Sequence, residues 1–122
     1  MNILIIEDDK LTINMLQHSL QNLGHNTYVA ETGEKAIEML PNIKIDLLIT
    51  DLMMPGISGL SLIYQLRAIY MIKTPIIIIS SLNHKPLIDS AMKAGANDFL
   101  SKPISSEELE EKLKKFDKHL SF

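Results

Sequence analysis

Several residues that can do chemistry stand where apolar runs stop. Glu7 and Asp8 follow Ile3 to Ile6, Asp51 follows Leu47 to Thr50, Ser80 follows Ile76 to Ile79, and Lys102, with Pro103 behind it, follows a weaker run from Asp98 to Ser101. If these runs are parallel strands, three carboxylates, a hydroxyl and an ammonium share one rim, because ligands of an open parallel sheet sit beyond the carboxyl ends of its strands. Carboxylates gathered within a few ångströms raise one another's pKa, a penalty that a divalent cation removes. Oxygen donors without cysteine or clustered histidine suit a hard ion, most naturally Mg²⁺, which keeps waters and takes one or two carboxylates beside phosphate oxygens. A carboxylate held beside that ion and a lysine is suited to attack phosphorus, since both cations neutralise charge on a transferring phosphoryl group. Asp51 is the best-placed nucleophile, ending the expected central strand just ahead of a Met-Met-Pro-Gly turn. Glu7 and Asp8 are then metal ligands, and Ser80 and Lys102 bind phosphoryl oxygens.

Each residue alone has a plainer reading. A single Asp after a strand is commonly a helix cap, and Asp9, just before Leu11 to Leu23, is read that way. Ser80 alone is a turn residue and Lys102 alone a surface charge; their coincidence at strand ends carries the argument.

The elements that must position these groups alternate between two kinds. Short β-branched runs at Ile3 to Ile6, Thr27 to Ala30, Leu47 to Thr50, Ile76 to Ile79 and Asp98 to Ser101 read as strands. Between them, apolar positions recur at helical spacing, as in Leu16, Leu20 and Leu23, or Leu62, Ile63, Leu66 and Ile69. A last helix is signed by Leu109, Leu113, Phe116 and Leu120 on one stripe, by a capping box from Ser105 to Glu108, and by a staple between Ile104 and Leu109. Its acidic residues 107, 108, 110 and 111 precede lysines 112, 114, 115 and 118, the order the helix dipole favours, so the charge run reads as a solvated face. Gly24, Gly33 and Gly95 punctuate helix ends or turns, and Pro75 opens a strand where its missing N–H matters little. Five strands alternating with five helices predict βαβ crossovers and an α/β fold with a parallel sheet covered on both faces. Leu47 to Ile49 and Ile76 to Ile79 lack polar alternation and belong at its centre.

The remaining composition narrows the class. The chain has 122 residues, enough for one core that buries roughly two-thirds of the unfolded surface. No apolar stretch approaches the roughly 20 residues a membrane span needs, and the apolar start runs straight into acids, unlike a signal peptide; a cytoplasmic location is expected. Zero cysteines exclude disulfides, thiolate metal sites and cysteine nucleophiles. Twelve basic against fifteen acidic residues give a formal charge of −3, and with Arg67 as the one arginine, direct nucleic-acid binding is not expected. The histidines at 18, 25, 84 and 119 have no metal spacing, and the methionines read as core, with Met71 and Met92 as candidates for an exposed interface.

Four ordered motifs, Ile-Ile-Glu-Asp-Asp at 5–9, Asp-Leu-Met-Met-Pro-Gly-Ile-Ser-Gly at 51–59, Pro-Ile-Ile-Ile-Ile-Ser-Ser at 75–81 and Ala-Gly-Ala-Asn-Asp-Phe-Leu-Ser-Lys-Pro at 94–103, resemble the receiver domain of two-component response regulators across essentially the whole chain. The resemblance implies a flavodoxin-like, doubly wound five-stranded parallel sheet in the order 2-1-3-4-5 and one receiver domain over 1–122. It implies that Asp51 takes a phosphoryl group from the phosphohistidine of a sensor histidine kinase or phosphotransfer protein, as a signalling phosphoacceptor that assists its own phosphorylation and dephosphorylation rather than as an enzyme. Glu7 and Asp8 match the acidic pair, and Asp8, Asp51 and the Met53 carbonyl match the Mg²⁺ ligands. Ser80 matches the switch hydroxyl, Phe99 the switch aromatic, and Lys102 the phosphate-pairing lysine, whose bond to Pro103 is expected to be cis, as only X-Pro bonds readily are.

Some positions depart from the commonest pattern. Glu7 stands for the more usual Asp, Phe99 for a frequent Tyr, Ile104 for Phe and Ser81 for Ala; none removes a group that phosphorylation needs. Met53 and Leu82, two residues beyond Asp51 and Ser80, are apolar where polar side chains in the family orient the hydrolytic water, which predicts slow self-dephosphorylation. The output surface implied by the family covers residues 84–120, and with two residues after Leu120 the expectation is a single-domain receiver that docks on a downstream protein or relays phosphate. The alternative is a constitutive, unphosphorylated interaction module on the same fold. A flavin carrier is disfavoured by the acids after the first strand and the lack of tryptophan, and an Asp-nucleophile phosphatase by Leu52 and Met53 after Asp51.

Overall fold

The structure, a computed structural model, describes residues 1–117. Five strands, β1 (Asn2–Ile6), β2 (Asn26–Ala30), β3 (Leu47–Asp51), β4 (Ile76–Ser80) and β5 (Asp98–Ser101), alternate with five helices, α1 (Lys10–Asn22), α2 (Gly33–Met39), α3 (Gly59–Ala68), α4 (Lys85–Ala94) and α5 (Ser106–Leu113). The strands form one sheet in the order β2-β1-β3-β4-β5, every pair parallel. The expected α/β architecture and strand order are therefore those observed.

The isoleucine run of β4 shows why the sheet sits between two helical layers. β-branched side chains are stiff and favour the extended chain, and successive ones point to opposite faces. Ile76 and Ile78 enter a core with Leu62, Ile63 and Leu66 of α3 and Ile88 and Ala91 of α4. Ile77 and Ile79 enter a second core with Leu16 and Leu20 of α1 and Leu109 and Leu113 of α5. Every residue of β3 and β4 is buried, and each large apolar side chain so placed stabilises the fold by roughly 1.5–3 kcal/mol relative to exposure. Side-chain caps begin four of the five helices: Asp9 accepts from the Thr12 N–H and hydroxyl, as expected, Thr32 caps α2, Ser58 caps α3, and Ser105 accepts from the Glu108 N–H. At the opposite end of the sheet Arg67 donates to the carbonyls of Ile72, Thr74 and Gly95 and to Asn97 Oδ1, tying α3 to the turns that lead into β4 and β5.

The structure corrects several smaller expectations. Leu23 and Ile69 keep helical spacing but fall at the C-caps of α1 and α3, where the stripe has rotated off the core, and they are 36% and 62% exposed. No methionine among the seven is fully buried; Met1, Met39 and Met54 pack against the cores from their margins, and Met71 and Met92 are exposed as expected. α5 ends at Leu113, and i→i+3 bonds from the Lys115 and Phe116 N–H groups tighten the following turn, so that Phe116 still packs on the second core. Leu120 and His119 lie outside the described residues. A short 3₁₀ turn, Leu82–His84, lies unforeseen between β4 and α4.

Candidate functional site

Parallel pairing puts all the strand-end residues on one edge. Asp51 and Ser80 are the last residues of β3 and β4, Glu7 follows β1, and Lys102 follows β5, its N–H bonded to the Ser80 carbonyl at 3.0 Å. Glu7, Asp51 and Ser80 are nearly inaccessible, at 1%, 4% and 2% exposure. The Lys102–Pro103 bond is cis, as expected. Lys102 Nζ donates to Asp51 Oδ2 at 2.8 Å and stands 4.0 Å from Glu7 Oε2. The Met53 N–H donates to Asp51 Oδ1 at 3.0 Å. Both Asp51 oxygens are thus gripped, one by an ammonium and one by a backbone donor.

The electrostatics follow from that burial. Glu7 is pushed up to about 8, first by desolvation and then by the adjacent Asp51 carboxylate, against the Asp9 N–H and Lys102, which favour its charge. No donor reaches Glu7 Oε2; protonated, that carboxyl can itself offer a hydrogen toward Asp51. Burial works against the charge of Lys102, but the hydrogen bond and charge of Asp51, with Glu7 and Asp9 behind it, outweigh it and hold the ammonium above the ordinary lysine value. The lysine is a fixed positive charge in this rim.

Asp8 is where the structure departs from the expected trio. It is exposed, and among the described residues its side chain has no hydrogen-bond or ion-pair partner and no three acidic or histidine side chains are drawn together as an ion cage. A third carboxylate beside Glu7 and Asp51 would add repulsion, whereas in water Asp8 keeps its hydration. The donor set still suits a hard cation: an orphaned buried carboxylate oxygen on Glu7, the Asp51 carboxylate in contact with it, and Asp8 one residue along at the solvent edge.

The switch candidates lie on one face of the sheet: Ser80 is two residues beyond Ile78 on β4, and Phe99 of β5, paired with Ile78, packs against the same first core. Ser80 Oγ donates to the Ser81 carbonyl at 3.2 Å and lies 3.4 Å from His84 Nδ1, so its hydroxyl is directed along the exit of β4, and no hydrogen bond joins it to Asp51. Phe99 is half-buried against the first core. Lys112 from α5 stands over its ring, 4.7 Å from the centroid. Sequence inspection missed Lys112, His84 and Gly59. Lys112 lies three residues from Leu109, beside the buried stripe, and that spacing is the signal that separates it from the solvated lysines. Gly59 opens α3 so close to the rim that a Cβ there would stand 2.3 Å from the Asp51 carbonyl oxygen.

Residues 3–114 match the response regulator receiver domain model. The chain belongs to that family. It is 33% identical to the chemotaxis protein CheY of Pseudomonas aeruginosa, covering 94% of each chain. It is 32% identical to the transcriptional regulatory protein CrdR of Helicobacter pylori over 93% of its own length, but spans only 54% of CrdR. Among solved structures, a putative response regulator from Chloroflexus aurantiacus superposes with a TM-score of 0.89 at 31% identity, over 94% of this chain and 95% of that one. Receiver domains are signalling proteins of two-component systems, in which phosphorylation and Mg²⁺ binding are general. No helix among the described residues is long and apolar enough to cross a membrane.

Proposed function

We propose that this receiver domain accepts a phosphoryl group on Asp51 from the phosphohistidine of a sensor histidine kinase or phosphotransfer protein in the cytoplasm, and that phosphorylation changes a protein-binding surface across residues 84–120. The observation that carries this reading is the grip on Asp51: a charged Lys102 on Oδ2 and a backbone N–H on Oδ1, inside a buried rim. Attack by an Asp51 carboxylate oxygen forms an O–P bond as the N–P bond of the phosphohistidine breaks, and its electron pair leaves on the imidazole nitrogen. Two donors already aimed at the carboxylate orient it without reorganisation at the moment of reaction. Lys102 stays charged throughout and can follow the negative charge from carboxylate to phosphoryl oxygen. Ser80, one strand away, supplies the hydroxyl donor that turns from Ser81 and His84 toward the new phosphoryl group. Glu7, Asp8, Asp51 and the Met53 carbonyl would hold Mg²⁺, which when bound neutralises charge on the phosphoryl oxygens.

Incubation with Mg²⁺ and acetyl phosphate, read by intact mass, tests the reading. One phosphoryl adduct is expected, abolished by Asp51→Asn. No adduct, or an adduct that survives the substitution, overturns it in favour of a constitutive interaction module.

A further inference from the structure

Phe99 is held at three points by two neighbours. Its N–H donates to Asp98 Oδ1 at 2.8 Å, and its carbonyl accepts from Lys112 Nζ. The same ammonium donates to Asp98 Oδ1 at 2.9 Å and stands 4.7 Å from the centre of the Phe99 ring. Lys115 Nζ closes the assembly on Asp98 Oδ2 at 3.0 Å. An ammonium has three donors, and here a carboxylate, a carbonyl and an aromatic face take them. Its side chain is only 19% exposed, so water is a poor substitute for any of the three. Both backbone groups of Phe99 are spent on Asp98 and Lys112 at the free edge of β5, the last strand of the sheet.

From this geometry we infer that Lys112 is a positioning residue that clamps Phe99 in its present seat and so biases the domain toward the unphosphorylated arrangement; the inference rests on the phosphoryl-switch reading of Asp51. Asp98 and the Phe99 carbonyl hold the ammonium whether or not the ring stays beneath it. A ring that leaves its seat therefore strips one contact from a poorly hydrated cation that cannot follow. A cation–π contact at such a partly desolvated position corresponds to roughly a three- to tenfold bias between two ring positions. When the clamped arrangement predominates, releasing that bias tightens binding of anything that selects the other arrangement by the same factor.

The test uses the full chain labelled with fluorophenylalanine and followed by ¹⁹F NMR, with beryllofluoride and Mg²⁺ as the phosphoryl mimic. Lys112→Met keeps the aliphatic stem and removes the cation. It is expected to move the Phe99 resonance without beryllofluoride and to lower the beryllofluoride concentration at half-saturation roughly three- to tenfold. Lys112→Arg, which restores a cation over the ring, should return both toward the parent, and Lys115→Met, which loosens Asp98 but leaves the ring contact, should change half-saturation by less than about twofold. An unmoved Phe99 resonance in a folded Lys112→Met protein overturns the clamp whether or not beryllofluoride binds. A parent that fails to bind beryllofluoride overturns the phosphoryl reading instead, and the resonance comparison still decides the clamp.

Discussion

Gly59→Ala should show how tightly the acceptor strand and α3 are built around each other. An added Cβ would lie 2.3 Å from the Asp51 carbonyl oxygen, 2.6 Å from Leu52 Cα and 3.0 Å from the Asp51 carbonyl carbon, all backbone atoms that no rotamer change can move aside. Reaching even 3.0 Å from that oxygen requires a retreat of at least about 0.7 Å. α3 is a poor candidate to retreat, because Leu62, Ile63 and Leu66 are buried in the first core. The end of β3 must share the movement, shifting Asp51 from the position in which Lys102 holds it. Overpacking of this kind destabilises by roughly 1–3 kcal/mol, which for a domain of this size lowers the melting temperature by roughly 5–15 °C. A misplacement approaching 1 Å also slows a positioned reaction on the order of tenfold to a hundredfold. Gly33→Ala is the matched control: Gly33 likewise opens a helix, but its Cβ would meet its nearest neighbour, Ile57 Cβ, at 3.2 Å, which asks for a shift of only a few tenths of an ångström in the turn before α3. Calorimetry and acetyl phosphate labelling of the two variants give the answer. A Gly59→Ala protein that melts within about 2 °C of the parent and labels at the parental rate would refute the reasoning.

Two further outcomes follow from the rim. Glu7 carries a folded-state pKa of about 8 against an ordinary 4.5, so the stability its protonation contributes is complete below the ordinary value and is lost as the pH rises through about 8. Metal-free protein should melt lower at about pH 9 than at about pH 6, Glu7→Gln should flatten that dependence, and Mg²⁺, which favours deprotonated carboxylates, should raise the melting temperature more at the higher pH; equal Mg²⁺ shifts at both would contradict the assignment. Met53 is 57% exposed beside Asp51 and offers no polar group to orient water; replacing it with Asn should shorten the phosphorylated lifetime roughly several-fold, short of the roughly 10²–10⁴-fold of a fully positioned general base, and an unchanged decay measured by intact mass would remove Met53 from the account.

The strand ends were legible because a parallel sheet buried on both faces leaves little room for error: a run such as Ile76 to Ile79 can only be a central strand, and the first polar residue after it must reach the carboxyl edge. Cap chemistry was equally direct at Asp9 and Ser105, where a side-chain oxygen sits beside orphan N–H groups. Asp8 was not legible in this way. Its neighbour in sequence, Glu7, is buried while Asp8 stands exposed at the solvent edge of the rim, so the acidic pair of the motif divides between buried and hydrated surroundings.

Lys112 failed to stand out for a related reason. In a run of four acids and several lysines the dipole explains the order of charges, and nothing in that order says which lysine meets a carboxylate of another element. Position three residues from Leu109 turns Lys112 toward the sheet edge, where it is largely buried on Asp98, whereas Lys115 reaches the same carboxylate from an exposed position and Lys114 stays exposed. The consequence reaches beyond α5. β5 carries Phe99 at its centre, the fully buried Leu100 next to it and Lys102 just past its end, so the strand that the Asp98–Lys112 pair secures is the one that delivers the ammonium to Asp51. Leu100 anchors that strand in the second core while Phe99 faces the first. Phe99 and Lys102 are thus held by one strand, and loss of the Asp98–Lys112 pair is expected to loosen both the Phe99 seat and the delivery of the ammonium to Asp51.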